Sequence, residues 1–275
     1  VTVLLKMGRR YFQLSQYQRA TNAALQAKDI AATSDNLFLV AKADNWLGNI
    51  YYHQGELSEA LISYNASLSY FATPNALLSE NKNSLIHQAN LLNNIALVQT
   101  LLGDHNSALH NYQLAEPLYQ EHGSHEDKAD VRFNIAVLHV HLKRFDIAIS
   151  MLKEVITKYQ TFRSQSHINQ KVAGLGIARA TAALGVAYKQ SGQYELARDY
   201  IATALEYFQL NNHKHDMASE LHNLAAIYNH LGDYEKAINY GKSSVLLSKE
   251  VGHQKAYAGA LQALAQAYFS QGNFP

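Results

Sequence analysis

The 275-residue chain contains no cysteine, which excludes disulfides and thiolate metal sites alike. Proline is nearly missing as well, and the 3 present are too few to break up a chain of helices. Charge of one sign is not in excess. With 23 Lys and Arg against 22 Asp and Glu, there is no basic surplus of the kind that nucleic acid requires, and none is expected as a partner. No apolar run approaches the roughly 18 residues of a membrane span, so this segment is not expected to touch a membrane. The opening stretch, Val1 to Met7, is too short and lacks the flanks of a signal peptide. What remains is 48% apolar and only 16% charged, enough to pack and too apolar for general disorder. Abundant Tyr, Asn, Gln and Ser at this low charge point toward an exported, periplasmic bacterial protein, with the cytoplasm as the alternative.

What is present is a repeat. An apolar residue followed by Gly or Ala is trailed three positions later by Tyr, then by a Gly turn, an aromatic and an Ala. The clearest copies are Leu184-Gly185…Tyr188…Gly192-Gln193-Tyr194…Ala197 and Leu224-Ala225…Tyr228…Gly232-Asp233-Tyr234…Ala237. Leu47-Gly48…Tyr51…Gly55…Leu57…Ala60 is a third. Weaker copies begin at Met7-Gly8, Ile95-Ala96 and Ile135-Ala136, and a half copy at Leu264-Ala265. Gly or Ala at the first mark lets two helices approach closely, and the later Ala does the same on the partner helix. The Gly between them supplies the left-handed backbone that ends the first helix.

These residues resemble the tetratricopeptide repeat family over essentially the whole chain. The resemblance implies an all-α fold, a right-handed α-solenoid of helix pairs, and polypeptide binding in a concave groove. The small-residue marks at 8, 48, 96, 136, 185, 225 and 265 are spaced by 40, 48, 40, 49, 40 and 40 residues, longer than the family's usual period of about 34. Long repeats of this kind are similar to those of kinesin light chains, Leu-Gly-Asn repeat proteins, and bacterial Rap-type or sensor-attached regions. The expected repeats are 1–34, 41–72, 89–121, 129–160, 178–210 and 218–250, with a half repeat at 258–275. Two of the spacings carry extra residues, near 73–84 and 160–174, which lengthen helices or links. The fourth copy departs from the family by placing Lys143-Arg144 where the turn Gly belongs. The last turn, Gly272 to Pro275, is followed by no second helix, so a fragment of a longer protein is expected, with homodimer formation possible through that open end.

In such folds the first helix of each pair lines the groove. Two residues before the small marks stand Trp46, Asn94, Asn134 and Asn223, with Asn45, Asn49 and Asn93 on or beside the same face. An Asn carries a donor and an acceptor, so it can hold a peptide group in both senses; the alternative is that these amides tie neighbouring helices together. Arg9, Lys42, Arg179 and Lys189 map near the groove and would either receive a ligand carboxylate or remain solvated charges. Trp46, the only tryptophan, is an anchor for a ligand or packs on the next repeat. Histidine is abundant, but His122 and His125 beside Glu121, Glu126 and Asp127, or His139 and His141 on opposite helix faces, do not form a convergent ligand set. No metal or cofactor is expected. Neither a Gly-x-Ser-x-Gly elbow nor a phosphate loop occurs, and Gly174-Leu175-Gly176 is too short for a dinucleotide site. The expected function is a scaffold for a protein or peptide ligand, not an enzyme: the sensing or docking region of a larger bacterial signalling protein. The alternatives are an intracellular regulator binding a signalling peptide or response regulator, and a self-assembly module.

Overall fold

The computed structural model describes residues 1–163 and 169–272, and for 74–83 and 169 the backbone alone. Among the described residues there are thirteen α-helices and no strand. They are α1 Thr2–Gln13, α2 Tyr17–Thr33, α3 Leu37–Gln54, α4 Leu57–Phe71, α5 Pro74–Leu102, α6 His105–His122 and α7 His125–His141. Then follow α8 Phe145–Arg163, α9 Asn169–Gln190, α10 Tyr194–Leu210, α11 Lys214–Leu231, α12 Tyr234–Val251 and α13 Gln254–Ser270. This is the all-α solenoid class. The helices fall into two compact units, Val1–Asn134 and Ile135–Pro275.

The sequence sets the helix ends through its turns. Gly55, Gly103, Gly192 and Gly232 all take φ near +80°, a left-handed value that glycine adopts without a Cβ penalty. At two of these turns the next residue caps the following helix: Asp104 accepts from the Ser107 amide and Asp233 from the Lys236 amide. Lys143 fills the same turn position in the fourth repeat and is forced to φ +58°.

The small marks sit at helix crossings. Ala96, Ala136 and Ala225 are fully buried, as are the partner-helix alanines Ala60, Ala108, Ala148, Ala197 and Ala237. A Cβ on Gly48 would lie 2.5 Å from the Tyr64 ring, and one on Gly185 2.7 Å from Ile201, so α3 meets α4 and α9 meets α10 too closely for any side chain there. Two hydroxyls fix matching crossings in the two units: Ser67 donates to the Ala41 carbonyl, and Ser244 to that of Ala218, each at 2.8 Å. Ala265, at the same mark of α13, is exposed; among the described helices α13 packs on α11 and α12.

The extra residues near 73–84 are helix rather than loop. Pro74 opens α5, where its missing N–H costs nothing, and the helix runs 29 residues to Leu102. Of the second lengthened stretch, 160–174, residues 164–168 lie outside the described ones, as do 273–275 of the last turn.

Candidate functional site

Within the first unit, one face of α1 and one face of α3 enclose a cavity of about 340 Å³. Spacings of three and four residues put Thr2, Leu5, Lys6 and Arg9 on one wall, and Leu39, Lys42, Asn45, Trp46 and Asn49 on the other. Phe71 at the end of α4 and His87 on α5 close it, their rings 5.0 Å apart. Five of the eleven groove candidates singled out in the sequence therefore converge here: Arg9, Lys42, Asn45, Trp46 and Asn49.

Three cations and no carboxylate stand among the described lining residues. Arg9 and Lys6 are exposed, while Lys42 is half-buried with its ammonium 4.6 Å from the centre of the Phe38 ring. Asp44, next to Asn45 in sequence but not a lining residue, is buried and already neutralised by Lys28 at 2.7 Å. Trp46 packs against Phe12 with the rings tilted at 59° and their centres 5.2 Å apart, in a cluster with Ala20, Leu47 and Ile50. Its Nε1 is turned toward Gly8, where an added Cβ would lie 3.2 Å away. Asn49 accepts from the Tyr64 hydroxyl at 2.8 Å, which holds its carboxamide in place. Asn45 Oδ1 and Trp46 Nε1 are both shielded from solvent and find no partner among the described residues. An unpaired buried group of this kind costs about 1–3 kcal/mol, so a ligand that re-orients the Asn45 carboxamide into a bond gains from it.

The other candidates lie elsewhere. Asn134 donates to Asn93 Oδ1 at 3.0 Å, so these two amides tie α5 to α7. Asn94 is half-buried on the same helix as Asn93. In the second unit, Arg179 is exposed and pairs with Asp216 at 3.5 Å. Asn223 is buried and spent at both ends of its amide, accepting from Lys189 and donating to Glu220 at 3.1 Å. One of its two N–H donors and one of its carbonyl lone pairs are thus engaged within the chain. Lys189 is not a solvated charge either: it is mostly buried, and burial lowers its ammonium below the usual lysine range.

Sequence reasoning missed Glu220. Counting five residues back from the small marks of the second to seventh repeats gives Ala43, Leu91, Val131, Ala180, Glu220 and Ala260, all buried. One repeat thus places a carboxyl where the others place an apolar side chain. That comparison needs only the repeat register, and it would have flagged the residue. Burial drives the Glu220 carboxyl up to about 7, against the opposing pull of its bond from Asn223 and of Lys189. Its neighbour His222 is driven down to about 4, by burial first and then by Lys189, His253 and Lys255. No group of three or more His, Asp or Glu among the described residues is placed to hold a metal ion, and no described helix is long and apolar enough to cross a membrane.

Models of the tetratricopeptide repeat match residues 5–76, 87–161, 178–213 and 216–275. Kinesin light chain-related protein 1 of Arabidopsis thaliana is 23% identical over 184 residues, covering 66% of this chain and 29% of its own length. The chain therefore spans under a third of the curated relatives it matches. Among solved structures, a Rap protein complexed with competence and sporulation factor superposes with a TM-score of 0.70 at 16% identity, over 96% of this chain and 73% of that one. NprR in complex with its cognate peptide NprX gives 0.70 at 15%, over 98% and 72%. At these identities the likeness shows the fold.

Proposed function

Because the chain belongs to the tetratricopeptide repeat family, we propose that it is a non-enzymatic scaffold that holds a polypeptide, with the α1–α3 cavity as a principal contact. The observation that carries this reading is the convergence of Lys6, Arg9 and Lys42 with the Asn45 and Asn49 amides around Leu5, Leu39 and Trp46. Cations on an apolar, amide-bearing wall suit a peptide that presents a carboxylate beside an apolar side chain. A volume of about 340 Å³ accommodates one or two residues of it, so the remaining affinity would come from contacts along the solenoid. The complex of NprR with its cognate peptide, beside that of Rap with competence and sporulation factor, supports the same class of ligand. On this reading the region senses or docks a peptide for a larger bacterial signalling protein, passing occupancy on to an attached domain.

Trp46 is the only tryptophan and stands in the cavity wall, so its fluorescence reports occupancy. A random peptide library selected on the protein is expected to enrich sequences with an acidic group next to a large apolar residue. Arg9→Glu and Asn45→Ala should each weaken the selected peptides at least tenfold and remove the Trp46 response, with melting unchanged. If both variants bind those peptides as the parent does, the cavity is not the site.

A further inference from the structure

The second unit contains a separate cavity of about 390 Å³ between α9, α11 and α13. It is lined by the small residues Ala226, Gly259 and Ala263 and by Lys189, His222 and His230, with the His222 ring packed so close to Gly259 that an added Cβ would lie 2.8 Å from it. Behind the wall runs a buried relay: Lys189 Nζ donates to Asn223 Oδ1, and Asn223 Nδ2 donates to Glu220 Oε2 at 3.1 Å. Lys189 spends one of three donors on this bond, and as a lining residue of the cavity it is the near end of the chain. The far end is the carboxyl that stands where other repeats have Ala, Leu or Val. Burying an ionisable pair at a position that packs well without one adds no stability that an apolar pair would not. Its use lies in what it does to the cavity.

We propose that the α9–α11–α13 cavity binds a carboxylate ligand on Lys189, and that binding is coupled to uptake of a proton by Glu220. With the cavity holding only water, an ionised Glu220 balances Lys189 through Asn223. A ligand carboxylate brings a second negative charge to the same ammonium, and Glu220 restores the balance by taking a proton from solvent. The free carboxyl titrates near neutral pH, where this exchange is sensitive. The other charged or titratable groups that face the relay are Asp216, His222 and His230 on α11, and His253 and Lys255 at the start of α13. Tyr194 of α10 stacks on the His230 ring at 4.3 Å. His222 stays neutral well below neutral pH and is not the acceptor. This site is independent of the α1–α3 cavity and stands whether or not that cavity holds a peptide.

The test is titration calorimetry with N-acetyl tetra-alanine bearing a free C-terminal carboxylate, its C-terminal amide, and an amidated peptide with one internal Glu. The acid form is expected to bind about tenfold more tightly at pH 6 than at pH 8, the limit for one proton titrating near 7. Repeating the titration at pH 7.5 in buffers of different ionisation enthalpy should show roughly three-quarters of a proton taken up per peptide, without any substitution in the protein. Lys189→Gln should weaken binding at least tenfold, whereas Arg9→Glu should leave it intact. Glu220→Gln should bind tightly at both pH values, and His230→Gln should keep the parent's pH dependence. Binding of the internal Glu peptide in place of the C-terminal acid assigns a side-chain carboxylate as the natural group and supports the site equally. The proposal is overturned if none of the probes binds at millimolar concentration, if the carboxylate-free amide binds as well as the acid, or if Lys189→Gln binds like the parent. It is also overturned if no proton is taken up, or if the pH dependence survives in Glu220→Gln and is lost in His230→Gln.

Discussion

The Asn134 side-chain nitrogen donates to Asn93 Oδ1 at 3.0 Å across 41 residues of sequence, joining the first helices of two successive repeats. The bond takes one N–H of Asn134 and one carbonyl lone pair of Asn93, and so fixes both carboxamides in place. Asn134→Ala should therefore cost stability, about 1 kcal/mol for a half-buried neutral hydrogen bond. Urea unfolding of Asn93→Ala, Asn134→Ala and the double variant would give the coupling directly. Additive losses would mean that the bond contributes nothing and that the two residues act separately.

Much of the fold was legible because helix crossings tolerate only small residues, and Gly48, Ala96, Ala136, Gly185 and Ala225 recur at fixed offsets. The turn glycines were equally plain, since left-handed backbone leaves few choices. The length of α5 was harder to read: Asn81-Lys82-Asn83-Ser84 looks like a breaker, but with Pro74 at the first helical position the helix continues through it. The site was half legible. Helical phase assigns a residue to a face, which sufficed for Arg9, Lys42, Asn45, Trp46 and Asn49. It does not say which side chains of adjacent repeats meet, so Asn223 looked identical to a groove residue while Lys189 and Glu220 occupy both ends of its amide.

At the α3–α4 crossing, Gly48 faces the buried Tyr64 ring, and an added Cβ would approach it to 2.5 Å. Gly48→Ala gains about 1 kcal/mol of helix propensity. Against this stands an overpacking cost of about 1–3 kcal/mol, since Tyr64 is pinned by its bond to Asn49. The clash should win, with a net loss of up to about 2 kcal/mol in chemical denaturation. A variant as stable as the parent would show that α4 moves away freely.

The turn at Lys143 offers the opposite sign. Its φ of +58° is a conformation that glycine adopts in the matching turns at 55, 103, 192 and 232. Left-handed backbone costs a residue with a Cβ about 1–2 kcal/mol, and glycine returns about 0.5–1 kcal/mol of that through its more flexible unfolded chain. Lys143→Gly should raise stability by about 0.5–1 kcal/mol. A lower melting temperature would mean that the lysine side chain makes a stabilising contact that outweighs the strain.

The buried pair on α11 predicts a cancellation in the pH dependence of stability. The Glu220 carboxyl rises from 4.5 to about 7 on folding, so its contribution is complete below 4.5 and is lost as pH climbs through 7. The His222 imidazole falls from 6.5 to about 4, so its contribution is complete above 6.5 and is lost as pH drops through 4. Between pH 4.5 and 6.5 the two therefore pull in opposite directions, each by at most about 1.4 kcal/mol per pH unit. Removing one should unmask the other. Relative to the parent, His222→Gln should lose stability as pH rises from 4.5 to 6.5, and Glu220→Gln should gain it over the same interval. Lys189, Asp216, His253 and Lys255 surround both groups and are common to all three proteins, so the differences isolate the pair. Urea unfolding at half-unit steps of pH would resolve the slopes. Should both variants run parallel to the parent, neither group changes its proton affinity on folding, and the buried relay would not be electrostatically poised at all.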